Sequence, residues 1–211
     1  MVDVVLFHHV QGLTDGVREF AERLAGERHR VHTPDLYHGA VASSLEEGFE
    51  IKNGIGDQTL ATRAEHALGG FAPGLVYAGI SLGVMTAQQM AQTRPDARGA
   101  LLYEACIPIT GEWAFGPWPE GLAVQVHGMD DDEFFAHEGD LDAAQELVMT
   151  VGPEVGELFT YPGNGHLFVD SSLPSYDAEA AVLVVERSQT LLDRLGRTPV
   201  AAAAARPHPT E

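Results

Sequence analysis

Short runs of β-type apolar residues alternate with longer stretches whose apolar positions recur at helical spacing. Residues 2–7, 30–33, 75–78, 99–103, 122–126 and 157–160 predict strands, and residues 15–24, 57–68, 82–92, 140–150 and 176–195 predict helices. Val17, Phe20, Ala21 and Leu24 show the helical case, falling at three- and four-residue intervals on one face. This alternation predicts an α/β domain, three layers deep, around a mostly parallel sheet. Residues 38–56 and 105–120, rich in Gly, Ser, Glu, Pro and Trp, read as loops, and no large helical cap is evident. In open parallel sheets, loops beyond the carboxyl ends of strands form site walls. A single domain is expected over residues 1–197, with no internal repeat, followed by a low-complexity tail over 198–211, "TPVAAAAARPHPTE".

Composition narrows the partners. The chain has 211 residues, 45% hydrophobic and 20% charged, as expected of a globular domain with its own core. Its formal net charge of −19 repels phosphate backbones and anionic lipid surfaces, so neither nucleic acid nor membrane is an expected partner. A monomer or small homo-oligomer is expected. With Cys106 as the single cysteine, an intramolecular disulfide and a Cys-rich metal site are excluded, which fits a reducing cytoplasm. The start, "MVDVVLFHHV", lacks a basic leader region and reads as a first strand. No stretch approaches the roughly 18 consecutive apolar residues of a membrane span.

The stretch "YAGISLG" places Ser81 between Gly79 and Gly83, after a strand and before a helix. A serine hydroxyl is a weak nucleophile that needs a base, itself oriented by a third group. On a strand–elbow–helix scaffold the chain order is Ser, acid, His, each after a later strand. "HGMDDDEFF" supplies Asp130, Asp131 and Asp132 past one strand, of which the middle one, Asp131, is the expected acid, and "GNGHLFVD" supplies His166 in a Gly-rich turn past the next. Small residues flanking the serine let strand and helix pass closely. The backbone N–H of Leu82, at a helix start, faces a developing oxyanion, and that of Val10, in the loop after the first strand, is the expected second donor.

Two rivals compete with this constellation. His8, His9 and His166 could form a zinc site, but adjacent residues on a strand point to opposite faces and no helical His spacing is present, so no metal or other cofactor is expected. Cys106 has no glycine elbow and reads as a small buried hydrophobe.

The segments "VVLFHHVQGLTDGVREFAERLAGERHRVHTPDLYHG", "GISLG", "HGMDD" and "YPGNGHLF" resemble, in order, the dienelactone hydrolase family of α/β-hydrolases, over roughly residues 2–195. The resemblance implies a triad of Ser81, Asp131 and His166 with oxyanion donors at Val10 and Leu82. Three positions depart from the family. Ser81 stands where dienelactone hydrolases usually carry Cys, His9 where the first-strand loop typically has Glu, and Asp170 where an Arg holds the substrate carboxylate. His9, Trp113, Phe134 and Phe168 are the expected pocket residues, with Trp118 and Phe135 as further aromatic candidates. The expected function is therefore a serine hydrolase cleaving a small ester or lactone through an acyl-enzyme. A non-catalytic member of the fold that binds a small ligand in the same cleft is the alternative.

Overall fold

The computed structural model describes residues 1–197, so the expected tail at 198–211 lies outside the described residues. Six strands, β1 (Asp3–Phe7), β2 (Arg30–His32), β3 (Val76–Ile80), β4 (Gly99–Tyr103), β5 (Ala123–Met129) and β6 (Gly156–Tyr161), form one sheet in the order β2-β1-β3-β4-β5-β6. Every neighbouring pair runs parallel. The central strands are buried on both faces, which is why they read as continuous apolar runs rather than alternating ones.

Side-chain alternation divides the core in two. Val4 and Leu6 of β1 point towards α1 (Asp15–Ala25) and α7 (Ala178–Arg197), packing with Phe20, Leu24, Val184 and Leu192. Val5 and Phe7 point the other way, towards α3 (Asp57–Ala67), α4 (Leu82–Thr93) and α6 (Asp140–Val151), with Ala64, Val84 and Leu147. Helix, sheet and helix thus make the expected three layers.

Two helices go beyond what the apolar pattern predicts. Residues 38–56 contain α2 (Leu45–Ile55), which begins with a capping box: the Ser44 side chain accepts from the Glu47 N–H, and Glu47 reaches back to the Ser43 N–H at 2.7 Å. Helix α2 buries little beyond Gly48, where a Cβ would lie 2.6 Å from the Val10 carbonyl oxygen, so its hydrophobic signal is weak. A short α5 (Glu133–His137) follows the Asp run and is capped by Asp132. Residues 105–120 hold no helix or strand, as expected. No helix among the described residues is long and apolar enough to cross a membrane.

Candidate active site

The strand order reverses direction between β1 and β3, and parallel sheets open a crevice at such a point beyond their carboxyl ends. Ser81 stands there, immediately after β3, with φ 49° and ψ −114°. A non-glycine residue in that region is strained, and the surroundings hold it. Its N–H donates to the Tyr103 carbonyl at 2.8 Å, while its own carbonyl accepts from Val84 at 2.8 Å. Helix and strand approach so closely that a Cβ on Gly79 would lie 2.4 Å from the Gly83 backbone, and one on Gly83 would lie 2.3 Å from the Phe7 carbonyl oxygen. Only glycine fits at either position.

Ser81 Oγ lies 2.8 Å from His166 Nε2, and His166 Nδ1 lies 2.7 Å from a carboxylate oxygen of Asp132. A carboxylate accepts, so Nδ1 carries the hydrogen and Nε2 is left free to accept from the serine hydroxyl. The other oxygen of Asp132 accepts from the Phe134 N–H at 3.0 Å, and the side chain is fully buried. Burial pulls the His166 pKa down, but the Asp132 hydrogen bond and the charges of Glu104, Asp132 and Asp140 outweigh it, leaving a net upward shift.

The acid expected from sequence is therefore corrected from Asp131 to Asp132. The three aspartates do three different things. Asp130 accepts from the Gly163 N–H at 3.0 Å and pins the turn that leads to His166. Asp131 points to solvent and pairs with His137 at 3.0 Å, its side chain 72% exposed. Only Asp132, at the start of α5, turns inward.

A cavity of about 310 Å³ opens over Ser81 and His166, walled by Val10, Leu82, Met85, Glu104, Phe134 and Asp140. Val10 and Leu82 thus line the same space as the serine, and Leu82, as the first residue of α4, has no acceptor for its N–H within that helix. Leu45 and Phe49 of α2 close one side. Among the described residues lining the cavity, no lysine or arginine occurs; the chargeable ones are Glu104, Glu138, Asp140 and His166. Burial raises the Asp140 pKa to about 6.

The aromatic expectations divide. Phe134 lines the cavity with its ring 4.6 Å from that of His166. Trp113 is 78% exposed and lines no part of it, while Phe168 is fully buried in the core with Tyr161 and lines no part of it either. Trp118 and Phe135 are likewise core residues. His9 is also corrected: it is fully buried, its Nε2 donates to Asp170 at 2.8 Å and its Nδ1 accepts from the Gln11 N–H at 3.2 Å, so neither nitrogen is left for a ligand.

Asp170 is buried as well, accepting from His9 and Thr14 on one oxygen and from the N–H and hydroxyl of Ser172 on the other. Burial raises its pKa, but the His9, Ser172 and Thr14 bonds reverse that and the net shift is downward. Sequence placed Asp170 opposite a substrate; the structure uses it to tie the loop after β1 to the loop bearing His166. His8 is similarly occupied, donating to the His9 carbonyl at 2.8 Å and accepting from the Leu36 N–H at 3.2 Å. Burial keeps Cys106 protonated by raising its thiol pKa, and it lies fully inside the core.

Glu104 was missed by sequence reasoning. It directly follows β4, with φ 63° and 1% exposure. The available signal was an acid closing a fully apolar strand, "GALLYE".

Neither a protein-family model nor a curated protein sequence matches the chain. Solved structures do. A dienelactone hydrolase-like promiscuous phosphotriesterase, P91, from metagenomic libraries superposes with a TM-score of 0.71 at 19% identity, over 92% of this chain and 87% of that one. A protein provisionally called a dienelactone hydrolase, from Klebsiella pneumoniae, gives 0.70 at 18% identity over 93% and 87%. The thermophilic esterase Est2 of Thermogutta terrifontis, with propionate bound, gives 0.66 at 17% identity over 92% and 84%. The fold shared with these proteins is the α/β-hydrolase fold.

Proposed function

We propose that the chain is a serine hydrolase of the dienelactone hydrolase type, cleaving a small, uncharged ester or lactone through an acyl-enzyme. The observation that carries this reading is the continuous relay from Ser81 Oγ to His166 Nε2 at 2.8 Å and from His166 Nδ1 to Asp132 at 2.7 Å, on a strained elbow beside a cavity. As Ser81 Oγ bonds to the substrate carbonyl carbon, its proton passes to His166 Nε2. The carbonyl oxygen gains negative charge facing the backbone N–H groups of Leu82 and Val10. His166 then gives the proton to the leaving alkoxide as the C–O bond breaks. A water attacks the acyl-enzyme, again losing a proton to His166, and the acid leaves with Ser81 restored.

The substrate preference follows from the lining. With Glu104, Glu138 and Asp140 around the cavity and no lysine or arginine among its described lining residues, a substrate carboxylate is repelled.

Labelling with a fluorophosphonate probe and hydrolysis of p-nitrophenyl acetate test the reading together. Wild type should label and turn over, and Ser81→Ala should do neither, with turnover lowered ~10³-fold or more. A wild type that neither labels nor hydrolyses a panel of neutral esters, lactones and thioesters would leave the small-ligand-binding alternative.

A further inference from the structure

A carboxylate removed from water needs compensation, and Glu104 has no lysine or arginine beside it in the cavity that it helps to line. Its carboxylate accepts instead from two backbone N–H groups, Leu167 at 2.5 Å and Val169 at 3.4 Å. Both belong to the segment directly after His166. Its own N–H donates to the His127 carbonyl at 2.6 Å, fixing the residue between β4 and β5. Glu104 and Leu167 share a φ of 63°, so each end of this contact is held in a conformation that side-chain-bearing residues avoid. Strain of that kind persists only where the surroundings determine it.

On this geometry, and resting on the serine hydrolase reading for its catalytic meaning, we infer that Glu104 is a positioning residue of the relay: a second buried carboxylate that anchors the His166 loop and supports the positive imidazolium alongside Asp132. Among the described residues that line the cavity, His166 is the one cationic group available to it. The other chargeable groups around the ring are Asp132 at the start of α5, Asp140 at the start of α6, and Glu138 between these helices. All carry negative charge when ionised, so His166 receives protons from Ser81 inside an acidic enclosure. Burial pushes the Glu104 pKa up to about 7, with the charge on His166 pulling against that shift. The charge on each group therefore acts on the other, and their protons are linked.

A purely structural anchor and a charged partner make different demands. Glutamine at position 104 keeps an acceptor oxygen for the Leu167 N–H and discards the charge. In Glu104→Gln, the pKa of His166, followed by NMR of the labelled imidazole, should therefore fall on the order of one pH unit. The acid limb of the kcat/KM profile should move to lower pH by the same amount, with kcat at its plateau down about tenfold and KM within about twofold. Glu104→Asp, which keeps the charge, should leave His166 titrating nearer to wild type than Glu104→Gln does. A folded Glu104→Gln protein whose His166 titrates as in wild type would overturn the inference.

Should Glu104→Gln not fold, wild type alone decides. The Glu104 carboxyl carbon must then show the titration of His166 in its chemical shift, and lose that inflection in His166→Ala; a single unlinked titration overturns the inference. Because both NMR readouts are independent of turnover, a protein that hydrolysed nothing would defeat the hydrolase reading and leave this linkage intact.

Discussion

Replacing Asp132 by asparagine isolates a single proton position. The Phe134 N–H, 3.0 Å from one carboxylate oxygen, requires an acceptor there, so the amide oxygen of the substituted side chain takes that place and its NH₂ turns towards His166. A donor at 2.7 Å from Nδ1 forces that nitrogen to accept, and the ring hydrogen moves to Nε2. Nε2 then points a hydrogen at Ser81 Oγ and has no lone pair with which to take its proton. The negative charge that offset imidazolium is lost as well. Wrong tautomer and lost charge together should lower kcat/KM by ~10³ to 10⁴, a barrier increase of roughly 4 to 5.5 kcal/mol. Asp131→Asn, by contrast, alters an exposed pair with His137 and should leave kcat/KM within about twofold of wild type. The assay is p-nitrophenyl acetate hydrolysis with active-site titration, so that rates refer to folded sites. Equal losses in the two variants, or a larger loss in Asp131→Asn, would refute the assignment of Asp132.

Gly83→Ala should destabilise the protein by about 3 kcal/mol in urea unfolding, because its Cβ would meet the carbonyl oxygens of Phe7 at 2.3 Å and His8 at 2.8 Å, backbone that cannot swing aside; an unchanged midpoint would contradict the close approach. Asp170→Asn places an NH₂ against donors on one side of a fully satisfied buried carboxylate, and should cost about 3 kcal/mol by the same measurement while leaving the KM ratio of neutral to anionic esters unchanged. A shift in that ratio would return Asp170 to the substrate.

The α/β architecture was legible because β1, β3 and β4 are buried on both faces and α1 carries a clear apolar stripe. The elbow was legible too, since steric need fixes Gly79 and Gly83 on either side of Ser81. What failed was resolution within turns. Asp130, Asp131 and Asp132 are chemically identical, and which one turns inward depends on where α5 starts; the cap preceding "EFF" was the local clue. Helix α2 was hidden by its exposed, polar surface, although the Ser44 and Glu47 capping box was written in "SLEE". His9 and Asp170 were misread because a buried polar pair, far apart in sequence, leaves no periodic trace. The family resemblance pointed to their positions and not to their orientation. Glu104 was invisible for the same reason, its partners being backbone groups of Leu167 and Val169.

The tie between His9 and Asp170 spans 161 positions of the chain. Closing a loop of that length costs about 4.5 kcal/mol in chain entropy by the (3/2)RT ln n rule, so such a contact forms when most of the sheet already stands. During synthesis Ser81 leaves the ribosome 85 residues ahead of His166, its hydrogen-bond partner. Until β6 has joined the sheet and the loop after it has docked, Ser81 lacks that partner. On the proposed serine hydrolase reading, reactivity is thus a property of the finished chain, and a half-made molecule carries no activated nucleophile.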